Sequence, residues 1–162
     1  MTTIRPIIRL SPRSLGLLAL LLAIVLGVGI LIGIRFTPGE WYASLTKPGF
    51  IPPNWIFAPV WTTLYVMIAV AGWRTRLLDG GGRATKLWIT QLLLIWAWTP
   101  IFFGAHLLWP GLVVIVLLAA VILAFILTTW PRDRLSALLM VPYLAWVSFA
   151  SILNLSLAWL NG

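Results

Sequence analysis

The sequence predicts an all-α integral membrane protein, a bundle of five transmembrane helices, and three observations support this fold class. Of the 162 residues, 62% are hydrophobic and 9% are charged, whereas about 25% are charged in an average soluble domain. The mean hydropathy is +1.06, and a soluble fold of 18.0 kDa could not bury that much apolar surface away from water. The charges fall between uncharged runs, and each run offers the roughly 20 apolar residues that a spanning helix needs.

These uncharged runs place the spans in order along a single membrane domain, residues 1–162. The first apolar run is too long for the core of a signal peptide, so it predicts a retained helix. The uncharged stretch 87–131 is too long for one crossing, and the proline and glycine at 106–111 divide it. The predicted spans are 14–34, 54–73, 87–105, 111–130 and 135–160, with a lid loop at 35–55.

Basic residues predict the orientation of the bundle. Nine of the eleven lysines and arginines lie in the N-terminal segment and in the loops 74–86 and 131–134. The positive-inside rule therefore places the N-terminus inside and the lid loop outside. Because these charges flank apolar runs and form no stripe, the net charge of +8 indicates contact with a lipid bilayer and no nucleic acid partner.

The sequence offers few groups for catalysis. It has no cysteine and one histidine, so we predict no metal site and no cofactor. No charged residue lies in the middle of a predicted span, which argues against an ion-coupled pump or transporter. There is also no nucleophile–base–acid set and no phosphate-binding loop. Enzyme activity is therefore uncertain, and binding is favoured over catalysis.

The eleven tryptophans divide into two groups. Those near predicted span ends are interpreted as interfacial anchors: Trp73, Trp88, Trp109, Trp130 and Trp159. The others lie in the lid loop or in the half of a span that faces it: Trp41, Trp55, Trp61, Trp96, Trp98 and Trp146. The topology brings Trp61, Trp98 and the face of the fifth span from Tyr143 to Asn154 together below the lid loop. Aromatic walls of this kind suit a flat apolar ligand.

Two features of this arrangement leave alternatives open. The amide of Asn154 should contact protein because lipid offers it no partner, and either a neighbouring helix or a ligand would serve. Gly29-x-x-x-Gly33 allows close helix approach, either inside the bundle, which we favour, or at a dimer seam. Pro48, Pro52 and Pro53 lack backbone donors and stiffen the lid loop.

Several segments together resemble the translocator protein family, also called tryptophan-rich sensory proteins or peripheral benzodiazepine receptors, in a bacterial form. The segments are WYASLTKP at 41–48, PPNW at 52–55, APVW at 58–61, WAWTPIFFGA at 96–105 and PYLAW at 142–146, followed by Asn154. The resemblance implies a five-helix bundle, often a homodimer, with a ligand pocket closed by the first loop. It also implies a multi-pass protein of a bacterial cell membrane, inner or outer.

The ligands of this family include porphyrins, haem, sterols and isoquinoline carboxamides. The resemblance and the topology together predict a ligand-binding set: Trp41, Tyr42, Pro53, Phe57, Ala58, Trp61, Tyr65, Trp98, Tyr143, Trp146, Ala150 and Asn154. The function expected is a membrane sensor or carrier for porphyrin-like molecules. The alternatives are light-dependent porphyrin degradation, for which the resemblance implicates Trp61 and Trp146, and facilitated transport of tetrapyrroles. A C-terminal tyrosine–basic pattern is absent, which lowers the expectation of sterol.

Overall fold

The computed structural model describes Ile8 and residues 10–162, and this part of the chain forms six α-helices and no strand. Five of the helical segments are long and apolar enough to span a membrane, so the predicted all-α membrane fold is confirmed. The helices are α1 (Pro12–Arg35), α2 (Glu40–Ser44), α3 (Phe57–Asp79), α4 (Arg83–Thr99), α5 (Leu108–Thr129) and α6 (Arg134–Asn161).

The long helices close into a ring in the order α1, α3, α6, α5, α4, because α1 packs on both α3 and α4. The residues at the centre of this ring are aliphatic or aromatic and fully buried: Ile68, Leu118, Ile122, Phe125 and Met140. One end of the bundle carries residues 36–56 and the turn 105–107, and we call it the loop end. The opposite end carries the α3–α4 and α5–α6 turns, and we call it the basic end.

The helices extend beyond the uncharged runs at the basic end. Span two was predicted to stop at residue 73, but α3 continues to Asp79 and ends at Gly80, whose φ of 60° is the left-handed conformation typical of a helix stop. Likewise α4 begins at Arg83, before the predicted residue 87. The limits differ because long basic side chains can reach water from helix ends that still lie beside lipid.

The break between the third and fourth spans lies earlier than predicted. A π-helical turn, Pro100–Gly104, continues α4, and the chain then reverses at 105–107, where His106 adopts a φ of 59°. The fourth span, α5, starts at Leu108, whereas residue 111 was predicted, so Pro110 is its third residue. A proline is tolerated there because the first N–H groups of a helix have no intrahelical acceptor.

Two tryptophans interpreted as interfacial anchors are instead inside the bundle. Trp73 and Trp88 are each 7% exposed. The Trp73 indole N–H donates to the carbonyl of Ser14 at 2.7 Å, and that of Trp88 donates to the carbonyl of Ile68 at 2.9 Å. The prediction that Trp73 and Trp88 are interfacial anchors is therefore wrong. Both lie near span ends, but the rotation of each helix turns the ring towards a neighbouring helix. Trp109, Trp130 and Trp159 are exposed at span ends.

A bidentate ion pair joins the helices at the basic end. Arg74 of α3 donates from Nε and Nη2 to the Asp133 carboxylate at 3.0 and 2.8 Å, and Ser136 donates to the same carboxylate. Burial raises the pKa of Asp133, but the hydrogen bonds from Arg74 and Ser136 and the charge of Arg74 outweigh it and lower that pKa below its ordinary 3.8. Asp133 immediately precedes α6, so the pair ties α3 to its first turn.

This ion pair predicts acid sensitivity of the bundle. Because the pKa of Asp133 is lower in the folded state, its ionised form stabilises the fold above pH 3.8, and this contribution is lost as the pH falls through the lowered value. We expect the unfolding midpoint in detergent to fall over that range. Asp133→Asn should lower the midpoint at neutral pH and flatten the dependence of the midpoint on pH. The control Glu40→Gln should keep both the midpoint and its pH dependence. An unchanged slope in Asp133→Asn would contradict the assignment.

Candidate ligand-binding cavity

A cavity of about 510 Å³ lies at the loop end, between α1, α3 and the end of α4. Seven of its fifteen lining residues are aromatic, and two are glycines. The lining residues are Gly29, Ile30, Gly33, Phe36, Pro38, Tyr42, Asn54, Phe57, Ala58, Trp61, Thr62, Tyr65, Trp98, Thr99 and Phe103.

The α3 wall of the cavity is one helical stripe. Residues 57, 58, 61, 62 and 65 recur at the three- and four-residue spacing that places side chains on one face. The Trp61 and Tyr65 rings lie 5.4 Å apart and tilted by 33°. A turn of 3₁₀ helix, Asn54–Ile56, leads into this stripe. Pro59 is the third residue of α3, so it starts the helix without removing an intrahelical hydrogen bond.

The α4 wall is held in place from behind by Asn154 of α6. The Trp98 indole N–H donates to Asn154 Oδ1 at 3.2 Å, and Asn154 Nδ2 donates to the Leu108 carbonyl at 2.9 Å. Asn154 is 1% exposed and does not line the cavity. Of the two partners considered for this amide, the structure supplies a neighbouring helix. The Trp98 ring also stacks on Phe102, with centroids 5.1 Å apart.

The α1 wall is made by Gly29, Ile30 and Gly33. A Cβ at Gly29 would overlap the Tyr65 ring, so this glycine packs α1 against α3 inside the bundle. A Cβ at Gly33 would meet nothing within 4 Å, and this glycine opens space in the cavity wall. At the end of α1, the Arg35 guanidinium lies 5.5 Å from the centroid of the Phe36 ring, which itself lines the cavity. The positive charge of Arg35 therefore lies beside the cavity wall.

The lid loop is attached to the bundle through both of its halves. The Asn161 side chain accepts a hydrogen bond from the Thr46 N–H at 2.8 Å and donates to the Thr46 carbonyl at 3.0 Å, which joins the loop to the end of α6. Trp41 on α2 stacks on His106, with ring centroids 4.2 Å apart. These contacts hold α2 and the segment after it at the loop end.

Tyr42 is the buried residue of α2 and reaches the cavity. Its ring packs edge-on against Phe103 at 5.4 Å, and the Lys47 ammonium lies 5.0 Å from its centroid. Burial raises the pKa of the Tyr42 phenol. Lys47 also donates to the carbonyls of Ala43 and Leu45. Tyr42 is therefore a neutral aromatic group in the wall, and Lys47 is largely occupied by the loop backbone.

The structure brings half of the predicted set to the cavity, and the other half does not line it. The lining members are Tyr42, Phe57, Ala58, Trp61, Tyr65 and Trp98; the others are Trp41, Pro53, Tyr143, Trp146, Ala150 and Asn154. Tyr143 is fully buried with its ring 6.3 Å from Trp61, and Trp146 packs on Phe57 at 5.8 Å. These α6 side chains support the α3 wall from its far side.

Sequence reasoning missed nine lining residues: Gly29, Ile30, Gly33, Phe36, Pro38, Asn54, Thr62, Thr99 and Phe103. Five belong to α1 and the start of the lid loop, which the predicted set left out. The glycine spacing in α1 was a usable signal, because a side of small residues leaves room either for a helix or for a ligand. Thr62 could have been found from helical spacing, because it lies four residues after Ala58 and three before Tyr65. Thr99 directly follows Trp98, and no spacing signal pointed to it.

The chemistry of the wall is that of a binding cavity. Its polar groups are the amide of Asn54, the hydroxyls of Thr62 and Thr99, and the phenols of Tyr42 and Tyr65. These groups can orient a ligand through hydrogen bonds, and the aromatic rings provide the contact area. In the described part of the chain no three histidine, aspartate or glutamate side chains cluster as metal ligands would.

Five helices long and apolar enough to span a membrane, with an aromatic cavity at one end of the bundle, define a multi-pass integral membrane protein. The family model described as TspO/MBR family matches residues 19–160. The chain therefore belongs to the TspO/MBR family, and the predicted resemblance is confirmed.

Individual relatives span most of the chain. It is 41% identical over 133 residues to protein CrtK of Rhodobacter capsulatus, covering 80% of this chain and 83% of the relative. It is 40% identical over 154 residues to the tryptophan-rich protein TspO of Chlorobaculum tepidum, covering 89% and 95%. It is 39% identical over 138 residues to the human translocator protein, covering 78% and 80%.

Proposed function

We propose that this protein binds a flat, mostly apolar, porphyrin-like molecule in the loop-end cavity and acts as a membrane sensor or carrier for it. The observation that supports this proposal best is the cavity itself, whose 510 Å³ volume and aromatic wall suit a small molecule. Binding sites for small molecules have volumes of about 300–1,000 Å³ and are lined by apolar and aromatic side chains with a few polar groups.

The arrangement of the walls favours a planar ligand. Trp61 and Tyr65 line the α3 side, while Trp98 and Phe103 line the side of α4 and its π turn. A planar ring placed between them could stack on aromatic faces on both sides. The glycine side of α1 leaves space for the edge of such a ring.

Charge beside the cavity favours a ligand with an acidic edge. Arg35 lies against Phe36 at the wall and forms no ion pair among the described residues. Porphyrins such as protoporphyrin carry carboxylates on one edge, and a guanidinium pairs with a carboxylate through two parallel hydrogen bonds. Binding would then place the apolar part of the ligand among the rings and its acidic edge towards Arg35.

The names of two relatives agree with a role in sensing or translocation. The relative in Cereibacter sphaeroides, 35% identical over 129 residues, is called a tryptophan-rich sensory protein, and the human relative is called a translocator protein. Both roles require reversible binding of a small molecule by a membrane protein. The homodimer expected from the resemblance stays a prediction, for which the apolar outer faces of the long helices provide surface.

Filling the cavity should abolish ligand binding. Ala58 lines the cavity, and Ala58→Phe would place a ring where the ligand is proposed to lie. We expect saturable quenching of tryptophan fluorescence by protoporphyrin, measured in the dark in detergent, with affinity reduced about tenfold or more in this variant, because overpacking costs about 1–3 kcal/mol. A shift of the porphyrin absorption band should report the same affinities.

Thr63→Phe is the matched control, since it adds a ring on the same helix at an exposed position that does not line the cavity. It should bind protoporphyrin like the unmodified protein. If the unmodified protein shows no saturable quenching, or if Ala58→Phe and Thr63→Phe have the same affinity, the proposed function is wrong.

A further inference from the structure

A second cavity lies at the basic end, far from the aromatic site. It is a groove of about 590 Å³ between the start of α4 and the end of α5, and we call it the basic-end groove. Its lining residues are Arg83, Ala124, Leu127, Thr128, Pro131 and Arg132. We infer that the basic-end groove binds the phosphate headgroup of an anionic phospholipid.

Neither arginine of the groove forms an ion pair in the described part of the chain. The whole chain has three acidic residues. Glu40 lies at the loop end, Asp133 is held by Arg74 and Ser136, and Asp79 accepts a hydrogen bond from the Thr85 N–H at 2.9 Å. In the described residues the one ion pair is that of Arg74 with Asp133.

Two like charges in one groove repel each other unless an anion lies between them. Arg83 enters the groove from the first residue of α4, and Arg132 enters it from the turn after α5. A phosphate diester supplies a negative charge with several acceptor oxygens, and the planar guanidinium group matches phosphate geometry with two parallel hydrogen bonds. The pair therefore has the chemistry of a phosphate-binding site.

The rest of the groove has the chemistry of a lipid site. Leu127 is 65% exposed, and Ala124 lies one turn before Thr128 on α5. The Thr128 hydroxyl donates to the Ala124 carbonyl at 2.7 Å, so the hydrogen-bond donors facing an anion are those of the arginines. The groove thus joins a cationic pocket to the apolar side of a spanning helix, which matches a headgroup with an acyl chain attached. Basic pockets between spanning helices are a known form of lipid recognition.

The test is a binding measurement with defined lipids on the purified full-length protein in neutral detergent. Native mass spectrometry would give the affinity for phosphatidylglycerol, phosphatidylcholine and glycerol phosphate, and the unfolding midpoint would be followed with each. We expect phosphatidylglycerol to bind and raise the midpoint, and the other two compounds to have little effect. Arg83→Gln combined with Arg132→Gln should weaken phosphatidylglycerol binding about thirtyfold, as expected for two surface cations.

A matched control removes two positive charges from other residues at the basic end. Arg76→Gln combined with Lys86→Gln changes two exposed bases outside the groove and should retain phosphatidylglycerol binding. A second pair of variants keeps both arginines. Thr128→Glu supplies the missing carboxylate inside the groove and should displace the lipid, while Thr128→Gln should not.

Four results would each overturn the inference. Equal losses in the two double variants would mean diffuse attraction to the basic end without a site. Equal binding of glycerol phosphate and phosphatidylglycerol would mean a site for free phosphate. Equal binding of phosphatidylcholine and phosphatidylglycerol, or unchanged binding in Thr128→Glu, would mean that charge in the groove does not select the lipid. Protoporphyrin binding does not enter these outcomes, so they are independent of the proposed function.

Discussion

Gly72→Ala is expected to destabilise the bundle strongly, although it adds only one methyl group. Gly72 is buried on α3, and a Cβ there would overlap the indole ring of Trp88 on α4. That ring is 7% exposed and hydrogen-bonded to the Ile68 carbonyl, so it cannot move aside without losing a partner. Overpacking of this kind costs about 1–3 kcal/mol, and the unfolding midpoint in detergent should fall accordingly.

The control for this change is Gly27→Ala on α1, where a Cβ would meet nothing within 4 Å. Alanine favours a helix over glycine by about 1 kcal/mol, so this variant should keep or slightly raise the midpoint. The two substitutions therefore have opposite expected signs. Trp88→Leu should remove most of the penalty of Gly72→Ala, because the overlapping ring is gone. Equal effects at Gly72 and Gly27 would show that the contact does not limit the packing of α3 on α4.

The second large effect is expected at Asn154, which links helix packing to the cavity wall. Asn154→Leu keeps a similar shape but leaves the Trp98 indole N–H and the Leu108 carbonyl without this partner. Hydrogen bonds between spanning helices contribute about 0.6 kcal/mol on average and up to about 1.7 kcal/mol. We therefore expect a loss of stability of this order, together with weaker protoporphyrin binding, because Trp98 lines the cavity and is no longer held at one orientation.

Ser151→Ala provides the comparison on the same helix, since the Ser151 hydroxyl donates only to the Val147 carbonyl of α6 itself. It should change neither stability nor binding. A double-mutant cycle with Trp98→Phe would separate the two effects of Asn154. If Asn154 acts through Trp98, the effects of the two changes on binding should not add. Additive losses would place the role of Asn154 elsewhere.

The two ends of the bundle differ in the contacts that stabilise them. At the loop end, aromatic stacking and the Asn161–Thr46 hydrogen bonds attach a short helix over a cavity. At the basic end, the Arg74–Asp133 pair joins α3 to the start of α6. A ligand in the cavity would therefore contact a part of the fold that is attached by a few side chains.

The spans themselves could be read from the sequence because lipid imposes a simple requirement. A segment crossing a bilayer needs about 20 apolar residues with all backbone groups paired, which selects helices of this length and composition. The helix limits were less accurate at the basic end, where Arg74 and Arg83 extend the helices past the uncharged runs. Charge marks the edge of the apolar run, whereas the end of the helix depends on local features such as Gly80.

The aromatic character of the site could also be anticipated, since Trp61 and Trp98 lie in the loop-facing halves of their spans and both line the cavity. What the sequence could not show is the rotation of each helix about its axis. In a soluble helix the polar face reveals that rotation, but in a membrane the lipid-facing and core-facing sides are both apolar. Trp73 and Trp88 could therefore not be distinguished from Trp109 and Trp130 by sequence alone.

The sequence by itself determined the fold class, the number of spans and the family, because these depend on composition, length and motifs. Only the tertiary structure decided that α1 contributes a cavity wall and that Asn154 supports Trp98 from behind. It also decided that Arg83 and Arg132, 49 residues apart in the sequence, line one groove. Each of these outcomes depends on how whole helices are rotated and paired, and that is set by packing contacts between residues distant along the chain.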